Sequence, residues 1–394
     1  MEPQIRELTD ADRETNHRLG AEAFGYPQDQ QPATLPPQGG RVFGALVEGV
    51  PVAKIRLHDY DVHLPGGRRI AACGIAGVAV QPEWRGSGLL TPLLRTGLRD
   101  AQEAGRPISI LFPSAAGIYR RFGYEVVGSL EQRRVASADL ARIPAPQGIT
   151  LRRATPADIP ALLRLYGEWA ADRLGPLTRT GPAEPMLTAD YLTGAAEVTL
   201  ALDVAGRPVG SVRWTRGVGD DAATSVIEVD DLIGVSPEAT RALWRLLGGF
   251  ASTSGRITVE LPSGDEALTA LPVEPAPSVH EHRCMLALLD VSAAFGARRG
   301  IPGLAATLPF RVEGGFAKGV DGGYELVAQG GELRCSTTTS ADGPVFTARG
   351  LAALYGGAQR CSALRHAGLL HGPAGDDPVW DALCSTPFQI CDYF

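Results

Sequence analysis

The segment VAVQPEWRGSGLLTPLLRTGL, from Val78 to Leu98, decides the fold class of the N-terminal part of this chain. An alternating apolar segment breaks at a proline, continues as Arg85-Gly86-Ser87-Gly88, and leads into a leucine-rich run. Apolar residues recur in that run at about 3.6-residue spacing, which predicts one buried helix face. They are Leu89, Leu90, Leu93, Leu94, Leu98 and Ala101. The segment therefore predicts a strand, a glycine-rich loop and a helix, in that order.

The loop has the residue types of a phosphate-binding site. Backbone N–H groups at a helix N-terminus lack partners and carry partial positive charge. Glycine lets the backbone approach a ligand closely, and arginine adds a permanent charge with a planar set of donors. These properties favour a cradle for phosphate or pyrophosphate over a glycine turn with a solvated arginine. The Walker pattern G-x-x-x-x-G-K-S/T is absent. A Rossmann fingerprint is excluded as well, because GIAGVA (residues 74–79) lies within the strand and not after it.

Composition and charge narrow the class of protein. The 394 residues carry a net charge of −7, which disfavours a nucleic-acid partner. The N-terminus does not resemble a signal peptide, and no run of about 18 apolar residues predicts a membrane span, so we expect a cytoplasmic protein. The six cysteines form no CxxC pair and are expected to be free thiols. His280 and His282 should share one face of a strand, but without further ligands they predict no metal site.

The chain repeats itself. IRELTDAD (residues 5–12) lines up with LRRATPAD (151–158). VAVQPEWRGSGLLTPLL lines up with IGVSPEATRALWRLL, and a third matched pair of segments lies between these two pairs in the same order. Three ordered matches favour duplication, although the second copy lacks the Arg-Gly-Ser-Gly loop. In the first copy, alternating apolar positions predict a hairpin around Glu48-Gly49. We predict an α/β domain over residues 1–147, a degenerate copy over 148–283, and an α+β domain over 284–394.

At these motifs the chain resembles a known family. V-x-V-x-P-x-x-R-G-x-G before a leucine-rich helix is similar to the acyl-CoA-binding motif of the GNAT superfamily of N-acetyltransferases. PSAAGIYRRFGYEVV (residues 113–127) resembles a later helix and strand of that fold. Two tandem GNAT-type domains, the second degenerate, then a sterol-carrier-protein-like domain and an aromatic C-terminus, resemble the Eis (enhanced intracellular survival) acetyltransferases. The resemblance covers the whole chain and is most specific in about the first 130 residues and the last few.

The resemblance implies acetyl-CoA as co-substrate, no metal, and a site made of several sets of residues. Tyr124 would protonate the departing CoA thiolate, and the terminal carboxylate of Phe394 would take the proton of the amine. Val78, Ala79 and Val80 would hold the pantetheine arm. The rest of the cofactor would contact Arg85, Gly86, Ser87, Gly88, Leu89 and Tyr119. Because Eis members often carry more arginines in this loop, backbone N–H groups should do more of the binding in this chain. We expect Glu22 and Asp392 to attract a cationic substrate, and Phe24 and Tyr26 to line the amine pocket.

The implied roles agree with general chemistry. An ammonium is not a nucleophile, so a base must remove a proton before the amine attacks a thioester, and a partly desolvated carboxylate is a better base. The implied acceptor is an aminoglycoside, a polyamine-like molecule or a lysine side chain, and the implied assembly is a homohexamer.

Alternatives remain open at this point. Tyr119 could be the acid, Tyr124 a core aromatic, and Phe394 a frayed end. The chain could also transfer a longer acyl group, or be an acyl-CoA or lipid carrier without turnover.

Overall fold

The computed structural model describes residues 3–27, 31–181, 189–192, 196–339 and 342–394. Within these residues the strands form one twelve-stranded sheet and one five-stranded sheet. The first repeat contributes strands Gln4–Glu7 (β1), Gly40–Val47 (β2), Val50–Leu64 (β3), Arg68–Val80 (β4), Ile108–Leu111 (β5) and Glu125–Ala136 (β6). Its helices are Arg13–Phe24 (α1), Leu90–Glu103 (α2), Ala116–Arg120 (α3) and Ser137–Leu140 (α4), with 3-10 turns at Asp10–Asp12 and Pro82–Trp84.

The second repeat follows the same plan. Its strands are Thr150–Arg153 (β7), Glu197–Leu202 (β8), Pro208–Arg216 (β9), Val226–Gly234 (β10), Arg256–Pro262 (β11) and His280–Leu288 (β12). Its helices are Ile159–Ala170 (α5), Pro237–Gly248 (α6) and Glu266–Thr269 (α7), with 3-10 turns at Pro156–Asp158 and Ala189–Leu192. The two repeats run inward from opposite edges of the large sheet, since its strand order is β1-β2-β3-β4-β5-β12-β6-β11-β10-β9-β8-β7.

The matched sequence segments form the same local structure in both repeats. In the first, Asp12 accepts from the backbone N–H of Thr9 at 2.9 Å and pairs with Arg6 at 2.8 Å. In the second, Asp158 accepts from the N–H of Thr155 at 2.8 Å and pairs with the arginine six residues before it. Each carboxylate therefore begins the first helix of its repeat and ties it to the edge strand. The hydrogen bonds from Arg6 lower the pKa of Asp12 to about 2. This correspondence supports duplication.

The two repeats exchange their last strands. β6 follows β5 in the chain but pairs with β11 of the second repeat, from Arg256 opposite Ala136 to Pro262 opposite Leu130. β12 follows β11 in the chain but pairs antiparallel with β5 of the first repeat. β6 and β12 also pair with each other at the centre of the sheet. The predicted boundary between residues 283 and 284 thus falls inside β12. Residues 284–288 are buried in the shared sheet because this apolar strand lies at its centre.

The C-terminal unit is α+β, as predicted. Its sheet has the order β15-β14-β13-β16-β17. The strands are Ala306–Glu313 (β13), Gly322–Gln329 (β14), Glu332–Thr338 (β15), Val345–Thr347 (β16) and Leu370–His371 (β17), and the helices are Val291–Ala297 (α8), Ala348–Tyr355 (α9), Cys361–His366 (α10) and Asp377–Leu383 (α11). The buried indole of Trp380 packs edge-on against the rings of Phe295, Phe310 and Phe346, at centroid distances of 5.9, 5.1 and 5.4 Å. These rings occupy the interior of the unit.

Two further findings bear on the predictions. The hairpin at Glu48-Gly49 is confirmed: both residues have positive φ, 51° and 83°, as a tight turn between β2 and β3 requires. In the ranges described, no helix combines the length and the apolar character that crossing a bilayer demands.

Candidate active site

The central feature of the first repeat is the point where β4 and β5 separate. The two strands pair in parallel from Ala72 opposite Ile108 to Ile75 opposite Leu111, and the ladder ends there. Just beyond, β4 has a bulge at Gly77, whose φ is 55°, so that Lys54 of β3 pairs with Ala79. A bulge bends its strand and increases the twist, which turns β4 away from β5. Of residues 78–80, predicted to hold a pantetheine arm, Ala79 and Val80 pair with β3 and Val78 lies in the bulge, and the edge that faced β5 is left open.

The Arg-Gly-Ser-Gly loop lies at the end of this open edge and at the start of α2. Gly86 and Gly88 have φ of 80° and 84°, a conformation that side chains rarely adopt. Across the described ranges, the backbone N–H groups of these two glycines and of Leu89 have no protein acceptor. The side chain of Arg85 is exposed, and its Nε donates a hydrogen bond to the carbonyl oxygen of Val80 at 3.3 Å. Three free donors and a guanidinium thus converge on one helix N-terminus, which is a suitable site for an anion.

The corresponding position in the second repeat is closed. There α6 begins directly at Pro237, and the hydroxyl of Ser236 accepts from the backbone N–H of Ala239 at 3.1 Å. The serine side chain thus caps the start of this helix, and the loop that carries the free donors of the first repeat has no counterpart. The prediction that the second copy enters its helix without the loop is confirmed, and only the first repeat has the anion cradle.

Tyr124 is a core residue with a bonded hydroxyl. Its side chain is fully buried beneath α2, and the phenol donates to Oγ of Ser109 at 2.6 Å. Ser109 in turn donates to the carbonyl of Cys73 at 2.9 Å, opposite it in the β4–β5 pair. Burial raises the pKa of the Tyr124 phenol well above its usual value of 10. The phenol therefore stays protonated at neutral pH, as an acid must before it acts.

Phe394 approaches the same strand pair from the other face. Its ring lies 4.9 Å from the ring of Tyr60 and 5.3 Å from that of Phe112, and Gly74 leaves the room for it. A Cβ at Gly74 would come within 2.9 Å of the Phe394 ring. Neighbouring residues of a strand point to opposite faces. Cys73 and Gly74 therefore separate Tyr124, on the α2 side, from Phe394, on the opposite side. These two residues lie two positions and one position before the last pair of the ladder.

A histidine that the sequence reasoning did not single out lies beside Phe394. The imidazole of His58 stacks on Tyr60 at 5.3 Å and meets the ring of Phe394 at 6.0 Å. Burial, followed by the charge of Arg56, lowers the pKa of His58 to about 3, so the ring is neutral. Because side chains alternate along a strand, the sequence places His58 and Tyr60 on one face of β3. That this face adjoins the candidate site is shown only by the position of Phe394 in the structure.

The other predicted residues are placed as follows. Tyr119 is buried, its ring lies 6.2 Å from that of Tyr124, and burial raises its pKa to about 12. Phe24 and Tyr26 are 44% and 47% exposed and stack on each other at 5.6 Å. Glu22 is exposed on α1, next to them. Residues 28–30 of the adjoining proline-rich loop lie outside the described residues.

Asp392 requires a correction. The sequence predicted an exposed carboxylate that attracts a cationic substrate, but this side chain is 2% exposed. It forms an ion pair with the buried guanidinium of Arg179 at 2.8 Å, so its charge is already compensated. Sequence reasoning missed this arginine because it lies more than two hundred positions earlier in the chain.

A cavity of about 340 Å³ adjoins the terminus. Its lining includes Tyr393, whose ring contacts Phe112 at 4.7 Å, and four carboxylates and two arginines. Those charged residues are Asp230, Asp231, Glu260, Asp392, Arg179 and Arg213. Glu260 forms no ion pair with either arginine, and Nε2 of His282 lies 4.0 Å from its carboxylate. Burial lowers the pKa of that imidazole, so it is neutral at neutral pH and does not compensate the charge of Glu260. Burial and the neighbouring Asp230 raise the pKa of Glu260. The cavity thus has more negative than positive charge and holds a carboxylate that a cation would stabilise.

The histidine pair of HEHRC lies on one face of β12, as predicted, with ring centroids 4.2 Å apart. Among the residues that the structure describes there is no group of three or more histidine, cysteine, aspartate or glutamate side chains able to hold a metal ion. His282 instead packs against the ring of Tyr393 at 4.4 Å. The pair is therefore linked to the chain terminus through the contact of His282 with Tyr393.

The Arg85 loop leads to a binding prediction. Replacing Arg85 by alanine should weaken CoA binding roughly tenfold, because a charge-assisted hydrogen bond is worth about 1.5–3 kcal/mol. Pantetheine, which lacks the pyrophosphate, should bind both proteins equally. Isothermal titration with the two ligands measures the difference. Arg99→Ala is the matched control, since this exposed α2 arginine lies 4.0 Å from Glu103 of its own helix. Equal losses for CoA and pantetheine would show that Arg85 does not bind the pyrophosphate.

Comparison with known proteins identifies the relatives of this chain. Two family models, both described as acetyltransferase (GNAT) domain, match residues 4–127 and residues 187–288. The second match ends at the last residue of β12. The family models therefore cover the first repeat up to the start of β6, and the second repeat from β8 to the end of the exchanged strand β12.

Relatives extend the similarity over most of the chain. An uncharacterised N-acetyltransferase of Streptomyces coelicolor is 30% identical over 324 residues, covering 79% of this chain and 77% of that protein. The N-acetyltransferase Eis of Mycobacterium tuberculosis is 27% identical over 338 residues, covering 79% and 77%. A crystal structure of a GCN5-related N-acetyltransferase from Kribbella flavida is 30% identical, with a TM-score of 0.82 over 100% of this chain and 99% of that one.

Proposed function

The chain belongs to the GNAT superfamily, in the family of the Eis N-acetyltransferases, and on that premise we propose that it transfers the acetyl group of acetyl-CoA to an amine of a small molecule carrying several amino groups. An aminoglycoside or a polyamine-like molecule fits this description. The observation that supports the proposal most directly is the placement of Tyr124 and Phe394 on opposite faces of the β4–β5 pair, where the strands separate.

The residues of the first repeat fit acetyl-CoA. The open edge of β4 at residues 78–80 offers backbone groups to an extended pantetheine arm, in the manner of an added strand. The free N–H groups of Gly86, Gly88 and Leu89, with the guanidinium of Arg85, suit the pyrophosphate. Tyr119 packs beside the ring of Tyr124 and supports it from the α3 side. The fold of the family implies the same co-substrate.

Proton transfer is then divided between the two faces of the sheet. The carboxylate of Phe394 takes a proton from the acceptor ammonium, and the free amine attacks the thioester carbonyl. The phenol of Tyr124 supplies a proton to the sulfur as the carbon–sulfur bond breaks. The attacking nitrogen gives up a second proton as the amide forms, which restores the phenol of Tyr124, and the proton taken by Phe394 is released to solvent. Per turnover the ammonium loses two protons, the sulfur gains one and one is released, with no change of oxidation state.

The cavity beside the terminus indicates the kind of acceptor. Glu260 and Asp230 lie next to Tyr393, and therefore close to the proposed base. A molecule with a second ammonium group can place one amine at the terminus and another among these carboxylates. A monoamine lacks the second contact. Carboxylates in a partly enclosed cavity attract such cations over a distance set by ionic strength. We therefore place the specificity for multiply charged amines in this cavity.

Amine-dependent thiol release from acetyl-CoA tests the proposal. We expect turnover with aminoglycosides or spermidine, with kcat/KM at least about tenfold above that for propylamine, since one ammonium–carboxylate contact is worth about 1.5–3 kcal/mol. Glu260→Gln should raise the KM of the multi-amine substrates and leave that of propylamine unchanged. Glu281→Gln is the control, because Glu281 lies on β12 next to His282 in the chain but on the opposite face of that strand. Absence of thiol release with every amine, including lysine peptides, would reject the proposed acceptor class.

The C-terminal unit and the assembly complete the proposal. We retain a sterol-carrier-like fold for residues after β12, but the aromatic rings around Trp380 fill the interior where a carrier would place a lipid. This packing favours the enzyme over a lipid carrier.

A homohexamer remains our expectation for the assembly, and light scattering of the purified protein measures it.

A further inference from the structure

A buried ion network joins the C-terminal tail to the second repeat. Nε of Arg179 donates to Asp392 at 2.9 Å, and Nη1 donates to Asp231 of β10 at 2.6 Å. The guanidinium lies over the ring of Tyr166 at 4.2 Å, and the hydroxyl of Tyr191 donates to Asp231 at 2.8 Å. Arg179 and Asp392 are each 2% exposed at the side chain. Every charge in this network therefore has a partner.

The backbone of the tail is held by neighbouring segments as well. The N–H of Gln389 donates to the carbonyl of Leu174 at 2.7 Å, and the N–H of Phe388 donates to the carbonyl of Gly356 at 3.0 Å. Gly175 and Gly128 lie so close to residues 388 and 389 that a Cβ at either would collide with tail backbone. Chain termini ordinarily fray. In this one Phe388, Ile390 and Asp392 are buried, whereas Tyr393 is 57% exposed and Phe394 is partly buried.

The network acts at short range on the terminus. Phe394 lies two positions after Asp392, and two residue steps of extended chain span at most about 7 Å. Fixing Asp392 therefore restricts where the terminal carboxylate can lie. The backbone of Arg179 has φ of 50°, a conformation uncommon for a residue other than glycine. Such a conformation persists only where the surroundings hold it in place.

We propose that Arg179, held by Asp231 of the second repeat, is a positioning residue that aligns the carboxylate of Phe394 through Asp392. This inference rests on the proposed role of that carboxylate as the base. It assigns a function to the second repeat, which lacks the anion cradle. The second repeat supports the tail that brings the base to the site of the first repeat.

A double-mutant cycle with the full-length enzyme tests the proposal. Asp392→Asn keeps the size of the side chain and removes the charge that pairs with Arg179. We expect kcat to fall ten- to a hundredfold, because misplacing a reacting group by about 1 Å can cost about a hundredfold. The KM for acetyl-CoA should stay within about twofold. In protein lacking Phe394, the same substitution should cause no further loss, since the group that it positions is absent.

The outcomes separate the two claims. Suppose that deleting Phe394 lowers kcat strongly, and that Asp392→Asn lowers kcat by the same factor with and without Phe394. That result would overturn the positioning role and leave the proposed base intact. An unchanged kcat in Asp392→Asn would do the same. Full activity without Phe394 would overturn the base itself, and with it this inference.

Two further variants guard against unfolding. Asp231→Asn removes the outer partner of Arg179 without touching the tail, and should lower kcat in the same direction by a smaller factor. Asp158→Asn removes a comparably buried carboxylate from an arginine pair in the same repeat, away from the tail, and should leave kcat unchanged. Thermal unfolding of all variants establishes that each is folded. A loss in Asp158→Asn equal to that in Asp231→Asn would mean that both act through stability alone, against the proposal.

Discussion

Deleting Phe394 is expected to lower kcat by a factor of about 10²–10⁴, the usual contribution of general base catalysis. The ring of Phe394 is held among the rings of Tyr60, His58 and Phe112, which fixes the position of the residue that carries the proposed base. CoA binding, which depends on the Arg85 loop, should not change. Steady-state rates with a multi-amine acceptor and titration with CoA measure the two effects.

Two variants separate the carboxylate of Phe394 from its ring. Adding one glycine after Phe394 keeps the ring and moves the carboxylate to the next residue. It should cost nearly as much activity as the deletion. Phe394→Leu keeps the carboxylate in place and removes the aromatic contacts, and should retain most of kcat. Full activity in the glycine-extended protein would contradict the assignment of the terminal carboxylate as base. Any purification tag for these measurements belongs at the N-terminus.

Tyr124→Phe is expected to lower kcat by roughly 10²–10³-fold with little change in the affinity for acetyl-CoA. Phenylalanine fills the same buried space, and Ser109 keeps its hydrogen bond to the carbonyl of Cys73, so the cost in stability is about 1 kcal/mol. Thiol release under saturating substrates measures kcat, and thermal unfolding measures the structural cost. Because burial raises the pKa of Tyr124 above 10, the phenol does not ionise at lower pH, and the wild-type rate should show no loss from this group below pH 10.

Tyr119→Phe is the matched control for Tyr124. The two rings are neighbours, both are buried, and each variant loses a single hydroxyl. We expect Tyr119→Phe to retain kcat within about threefold, because its hydroxyl would serve packing or cofactor contact rather than proton transfer. The reverse pattern, with a large loss in Tyr119→Phe and a small one in Tyr124→Phe, would transfer the role of acid to Tyr119.

The sequence predicted those parts of the molecule that depend on near neighbours in the chain. The positive φ of Gly86 and Gly88, the start of α2 after them and the turn at Glu48-Gly49 all follow from local chemistry. The duplicated helix starts at Thr9 and Thr155 follow from it too. In each case the residues that determine the conformation lie within a few positions of one another, so the pattern is readable without the fold.

Other features depend on which distant segments meet. β6 and β12 each follow the fifth strand of their own repeat, and either could pair with it. Their apolar patterns are satisfied at the centre of either half of the sheet, so the exchange is decided by packing of the whole. For the same reason the boundary predicted at residue 284 fell inside a strand. Apolar alternation specifies that a strand is buried, but not which neighbour covers it.

The sequence by itself thus determined that this chain is a duplicated α/β protein with a glycine-rich loop before a helix in one copy and the family motif of an acetyltransferase. Only the tertiary structure decided what surrounds the two proposed proton-transfer groups. Ser109 meets Tyr124 through the pairing of β5 with β4, and Asp392 meets Arg179 across 213 positions of chain. An ion pair of that separation leaves no local pattern, because its energy depends on burial and geometry that exist only after the chain has folded.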